Sequence, residues 1–175
     1  MLAPDYYYES VFLIPYEDLW QQKMRGLIFD IDNTLVGYEH KLAPAKIVAL
    51  FNRLQRMGFR VCLLTNNTNG RLTRFNETLG VDGFANALKP LSRGVRSAME
   101  KMGTQPEHTV IIGDQLLTDI WAGRNACITT ILVKPITEKD FITVRLKRAI
   151  ERALLRRYFA TLENPPQGDV KITKK

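Results

Sequence analysis

Short apolar runs alternate along this chain with stretches in which apolar residues recur at helical spacing. Leu27 to Phe29, Phe59 to Leu64, Phe84 to Leu88, Thr109 to Ile112 and Ile128 to Val133 each read as a buried strand. Between them Ile47, Leu50, Phe51 and Leu54 mark a helix that Pro44 begins and Gly58 stops. Leu72, Phe75 and Leu79 mark a second, closed by Gly80, and Val95, Ala98, Met99 and Met102 a third, stopped by Gly103. A further helix carries Ile120 and Trp121. This alternation predicts an α/β fold: a three-layer sandwich around a mostly parallel, five-stranded, Rossmann-like sheet with helices on both faces.

At 175 residues the chain suits one domain. Residues 1–25 read as an arm packed on the core, with Tyr6 to Tyr8 and Val11 to Ile14 apolar enough to dock. Residues 26–160 form the domain proper and include a basic helix over 139–160. Residues 161–175, with Pro165-Pro166 and Lys174-Lys175, read as a flexible tail.

The polar residues that interrupt this pattern follow the carboxyl ends of predicted strands, the edge where open α/β sheets bind ligands. Asp30 and Asp32 follow the first run, Thr65-Asn66-Asn67 the second, Lys89-Pro90 the third, and Gly113-Asp114-Gln115 with Asp119 the fourth. Asp30 and Asp32, two residues apart, can point the same way, and two such anions call for a divalent cation between them or a proton on one. Four carboxylates without histidine or cysteine favour a hard cation, Mg²⁺, which commonly takes a substrate phosphate as a further ligand. Thr65 and Asn66 would donate to phosphate oxygens, and Lys89 would offset the charge that builds in phosphoryl transfer. With no activated Ser or Cys, the attacking group would be a carboxylate, giving an aspartyl-phosphate. Asp30 is the candidate nucleophile, and Asp32 the general acid and then base.

The run Asp30-x-Asp32-x-Thr34-Leu35, Thr65 after an apolar strand, Lys89, and Gly113-Asp114 with Asp119 resemble the four motifs of the haloacid dehalogenase superfamily, in order, between residues 27 and 119. The resemblance implies that the Asp30 carboxylate, the Asp32 backbone carbonyl and Asp114 hold Mg²⁺, and that Thr65 and Lys89 bind phosphate. Asp119 would either support the metal or partner Lys89. Asp at position 32 is what the phosphatase members show. Phe-Asp-Ile-Asp-Asn-Thr-Leu-Val with Thr-Asn-Asn and Gly-Asp-Gln-Leu-Leu-Thr-Asp is similar to the YqeG-type subfamily of subclass III, which includes phosphatidylglycerophosphate phosphatases. The Arg124-Asn125 pair departs from the Gly-Asn-Arg order of that subfamily. Superfamily members choose substrates with cap domains, but here only 23 positions separate Asn66 from Lys89, and a helix and a strand fill the stretch from Asp32 to Thr65. No cap domain is expected, so the site should be open and suit a phosphate carried on something large.

Composition narrows the setting. The 45% hydrophobic and 25% charged content is globular, and the net charge is +7. Residues 139–157 hold seven Lys/Arg and two Asp/Glu. Arg145, Arg148, Arg152 and Arg156 form a stripe beside an apolar face there, the pattern of a helix that can lie on an anionic membrane or simply be solvated. Cys62 and Cys127 sit in apolar runs and read as buried free thiols. No run is long enough to span a membrane and no signal peptide is evident, so a cytoplasmic protein, peripheral at the inner face of the membrane, is expected. The favoured substrate is phosphatidylglycerophosphate, in phosphatidylglycerol synthesis. The alternatives are a nucleic-acid end or soluble phosphomonoester, and a non-catalytic RNA- or ribosome-associated module.

Overall fold

A computed structural model describes residues 2–137 and 170–171. In chain order the elements are β1 (Tyr6–Tyr8), α1 (Tyr16–Gln21), β2 (Gly26–Phe29), α2 (Ala45–Arg56), β3 (Arg60–Leu64), α3 (Asn69–Asn76), β4 (Asp82–Phe84), α4 (Arg93–Met102), β5 (Thr109–Gly113), α5 (Trp121–Asn125), β6 (Thr129–Val133) and β7 (Val170–Lys171). One sheet runs in the order β4-β3-β2-β5-β6-β1-β7, and every pairing is parallel except β1 with β7. From β2 the chain crosses to β3 on one side, then returns to place β5 on the other. The end of β2 is therefore the point where strand order reverses and a crevice opens.

Alternation along the strands explains the three layers. Leu27, Phe29, Val61, Leu63, Val110 and Ile112 belong to the core shared with α1, α2 and α3. Ile28, Cys62, Leu64 and Ile111 turn to the opposite face and pack with α4 and α5. A sheet covered on both faces tolerates no polar break within its strands, so the polar residues gather at strand ends. On α5 the helix approaches closely enough that a Cβ at Gly123 would crowd Ile111 and Thr130.

Several expectations are corrected. The sheet has six parallel strands and an antiparallel seventh rather than five. The sixth comes from the supposed arm: Tyr6–Tyr8 pairs with Ile131–Val133. Tyrosine favours strands, and Asp5 anchors the start, since its buried carboxylate accepts from the Thr130 backbone N–H (2.9 Å) and hydroxyl (3.0 Å) and lies 3.1 Å from Arg124. The third strand lies at 82–84, not 84–88, because Asn86 (φ 49°) and Leu88 (φ 54°) take left-handed backbone in the loop that delivers Lys89. Cys62 is buried, but Cys127 is exposed in the turn before β6. Val170 and Lys171, in the stretch expected to be a tail, pair with β1. The basic helix over 139–160, with Arg145, Arg148, Arg152 and Arg156, lies outside the described residues.

If residues 2–8 are integral to the sheet, Asp5→Ala should cost about 2 kcal/mol, the scale for stripping a buried hydrogen-bonded carboxylate from its partners. Glu9→Ala removes only the exposed Lys134 pair and should stay within about 0.5 kcal/mol. Urea denaturation compares them, and equal small losses would mean that the arm is peripheral.

Candidate active site

β2 ends at Phe29, and Asp30 still continues its ladder, with its N–H donating to Ile112 O at 3.0 Å. The chain then turns tightly. Asn33 adopts φ 67°, a conformation that asparagine accepts more readily than most residues, and its N–H donates to Val36 O at 2.7 Å. Ile136 N–H donates to Asn33 O (3.0 Å) and the Thr137 hydroxyl to its side-chain oxygen (2.7 Å). Thr34 is thereby aimed inward. Its hydroxyl lies 3.3 Å from Asp30 Oδ2 and 3.2 Å from Asp114 Oδ1, joining the first and fourth motifs.

Lys89 organises the floor of the site. Its Nζ donates to Asp30 Oδ1 (2.6 Å), Asp119 Oδ1 (2.6 Å) and Leu64 O (2.9 Å). The three charged side chains are 2%, 8% and 1% exposed. An unpaired ammonium there would cost several kcal/mol, so the two carboxylates are a condition of its burial. Burial alone would lower the Lys89 pKa, but Asp119 and Asp30 outweigh it and hold the ammonium well above its usual range. Asp119 Oδ2 accepts from the Gln115 N–H at 3.0 Å, within a π-helical turn over Leu116–Ile120. A Cβ at Gly113 would overlap the Asp119 carboxyl, so glycine is what lets this carboxylate reach Lys89.

The backbone of Lys89 is gripped by Asn66, whose side-chain oxygen accepts from Lys89 N–H (2.8 Å) and whose amide donates to Lys89 O (3.1 Å). Asn66 thus positions Lys89 with both ends of its amide, and it also lines the cleft, where the second N–H of its amide is the donor expected for phosphate. The Thr65 oxygen accepts from Asn67 N–H at 3.0 Å, and Thr65 lines the cleft.

Asp32 is separated from the floor. Its Oδ1 accepts from Arg71 Nε (3.1 Å) and a terminal guanidinium nitrogen (2.9 Å), and its Oδ2 accepts from Asn67 Nδ2 (3.2 Å). Neither Arg71 nor Asn67 stands out by residue type in the sequence. The available signal is positional: Arg71 lies in the first turn of α3, directly after the carboxyl end of β3. Tyr38, Gln115 and Thr118 also line the cleft, which encloses about 320 Å³. The segments 32–65 and 66–89 contain only α2, β3, α3 and β4 with their loops, and no cap domain.

Carboxylate oxygens of Asp30, Asp114 and Asp119 lie within 4.8 Å of one another, all buried. Three carboxylates against one ammonium leave a deficit of about two positive charges, which an oxygen-ligated divalent cation fits. Asp119, rather than the Asp32 side chain, completes this cluster. Burial pushes the Asp30 carboxyl up to about 7, with Lys89 opposing and Asp119 adding to the rise.

Comparison with known proteins identifies the family. A haloacid dehalogenase-like hydrolase family model matches residues 40–126, beginning just after the Asp30–Asp32 turn. A probable phosphatase of Bacillus subtilis, YqeG, is 34% identical over 152 residues, covering 87% of this chain and 88% of that protein. A phosphatidylglycerophosphate phosphatase 1 of the Chlamydomonas reinhardtii chloroplast is 26% identical over 152 residues, 81% of this chain but 56% of that protein. Among solved structures, Escherichia coli NagD superposes with a TM-score of 0.54 at 18% identity, over 66% of this chain and 90% of that one, a likeness of fold. With four strand ends delivering the motifs in order and a relative matched along most of its length, the chain belongs to the haloacid dehalogenase-like hydrolase family.

Proposed function

We propose that this hydrolase is a Mg²⁺-dependent phosphomonoesterase working through an aspartyl-phosphate on Asp30, and that its substrate is phosphatidylglycerophosphate at a membrane surface. The observation that carries the chemistry is the buried contact of Asp30 with Lys89, beside Asp114, in a cleft lined by no Ser, Cys or His among the described residues. An Asp30 oxygen attacks phosphorus as the bond to the leaving oxygen breaks. Asp32, held at the mouth by Arg71 and Asn67, gives its proton to the departing alcohol. It then takes one from the water that attacks phosphorus and releases phosphate and Asp30. Lys89 and Thr65 meet the phosphoryl oxygens. Asp30, Asp114 and the Asp32 carbonyl would hold Mg²⁺, with Asp119 supporting from behind while it secures Lys89. The cation's chemistry is to offset charge on the phosphoryl group.

The lipid substrate is supported by the matches to phosphatidylglycerophosphate phosphatases and by an uncapped cleft, which gives a small soluble molecule little enclosure. The stripe Arg145, Arg148, Arg152 and Arg156 would add attraction to anionic headgroups.

Asp30→Asn should lower hydrolysis of a soluble aryl phosphate by at least about 10³-fold with the fold intact; retained activity would remove Asp30 as nucleophile. Arg71→Ala should lower kcat more than it raises KM, by about 10-fold or more, because it frees the proton-transferring carboxylate; an effect confined to KM would make Arg71 a substrate-binding group.

Without metal, the raised Asp30 pKa means that the folded state holds a proton between its unfolded value of 3.8 and about 7. That stabilising contribution is full below the lower value and lost as pH rises through the upper one. Mg²⁺ must expel this proton to bind, so the rise in Tm on adding Mg²⁺ should be larger at about pH 8 than at about pH 5.5. Equal shifts at both would contradict a metal held by Asp30.

A further inference from the structure

Large apolar side chains left in solvent are distributed unevenly on this protein. Among the described residues all of them lie on segments that leave the carboxyl ends of strands. Phe12 and Leu13 follow β1, Tyr38 and Leu42 follow β2, and Ile136 follows β6. Leu88 and Leu91 flank Lys89 between β4 and α4. Trp121 opens α5 one turn ahead of Asn125, whose amide donates to Pro90 O at 3.0 Å, next to Leu91. The opposite edge of the sheet, where Arg25 donates to Trp20 O and Met24 O, has no such side chain among the described residues.

Isolated apolar residues are ordinary on a protein surface; their confinement to the connections that leave strand carboxyl ends, the edge that carries the cleft, is not. Along the chain they are interspersed with polar positions such as Glu39, His40 and Ser92, whereas a stable protein interface is built on an apolar centre. A bilayer interface accepts such side chains one at a time. The exposed charges among them lean positive, with Lys41, Lys46, Arg93 and Lys134 against Glu9 and Glu39. Lys46 Nζ lies 5.5 Å over the Phe12 ring, pairing a cation with an apolar anchor. That combination complements an anionic, apolar-cored surface. Tyr38 of this set lines the Asp30 cleft itself and Leu88 and Leu91 flank its Lys89, so a surface that docks on these loops is also placed to present the phosphate.

We infer that this rim is a docking surface for an anionic lipid bilayer, which it holds against the mouth of the Asp30 cleft. The inference rests on reading that cleft as a lipid-phosphatase site. The test is co-sedimentation of the full chain with vesicles of equal parts phosphatidylglycerol and phosphatidylcholine in about 0.5 M salt, where exposed charge is screened and apolar insertion remains. The combined variant Phe12→Ser, Leu13→Ser, Leu42→Ser and Leu91→Ser should bind about tenfold or more weakly. It should still hydrolyse a soluble aryl phosphate within about twofold of wild type, because these exposed loop residues lie outside the catalytic set. Equal vesicle binding by the two proteins, or a wild-type protein that stays in the supernatant, overturns the docking surface. So does a wild-type dimer that the four substitutions dissociate, because the rim then faces a second copy. Hydrolysis of phosphatidylglycerophosphate in detergent micelles reads the substrate separately. If it fails while vesicle binding remains sensitive to the variant, the substrate assignment falls and the rim is supported.

Discussion

A lysine buried between two carboxylates is the constraint from which the rest of this site follows. Lys89 Nζ touches Asp30 and Asp119 at 2.6 Å each, with almost no solvent on any of the three. Burying an ion pair seldom gains stability over an apolar cluster of the same volume, and here the charges do not even balance. The excess negative charge of Asp30, Asp114 and Asp119 makes sense as a seat for a divalent cation. Much of the surrounding structure serves to place Lys89. Asn66 holds its backbone at both ends, Gly113 leaves room for the Asp119 carboxyl, and the loop from Asn86 to Leu88 takes left-handed backbone to bring it in.

The floor of the cleft and its mouth are built differently. On the floor, Asp30 is fixed by Lys89 and Thr34 against the end of the central strand. At the mouth, Asp32 is held by Arg71 and Asn67, which come from the start of α3 and the loop before it. Two carboxylates only two residues apart in sequence thus have separate surroundings, as the proposed division between a nucleophile and a proton carrier requires. Among the described residues no cap domain stands above them, so under the proposed function the choice of substrate would fall to the loops at the carboxyl edge. Those are also the loops that leave their apolar side chains in solvent.

How much of this was legible in the sequence depends on what each signal measures. The motif residues could be read because a doubly covered parallel sheet forces polar residues to strand ends, and Asp30, Thr65, Lys89, Asp114 and Asp119 do converge there. β1 was not legible as a strand: three residues are too few for a periodic pattern, and its pairing with β6 spans 125 positions from Tyr6 to Ile131. The apolar Ala87 and Leu88 extend the run of β4 past its end at Phe84, although Leu88 lies in the loop with φ 54°. The grip of Asn66 on Lys89 is not legible in the sequence, because only the fold brings Lys89 N–H and O within reach of its amide. Arg71 is not legible as a site residue, because one arginine on a helix reads as a solvated charge until the partner at Asp32 is placed.

The central claim is that Asp30, poised on Lys89 at the end of β2, is the group that becomes phosphorylated. Beryllium fluoride with Mg²⁺ mimics a phosphoryl group on a carboxylate, and a crystal structure of that complex reads the acceptor atom directly. Beryllium is expected bonded to an Asp30 carboxylate oxygen, with the fluorides meeting Lys89 Nζ and the Thr65 hydroxyl. Beryllium on Asp32, on Asp114 or on no carboxylate of the cleft would contradict it.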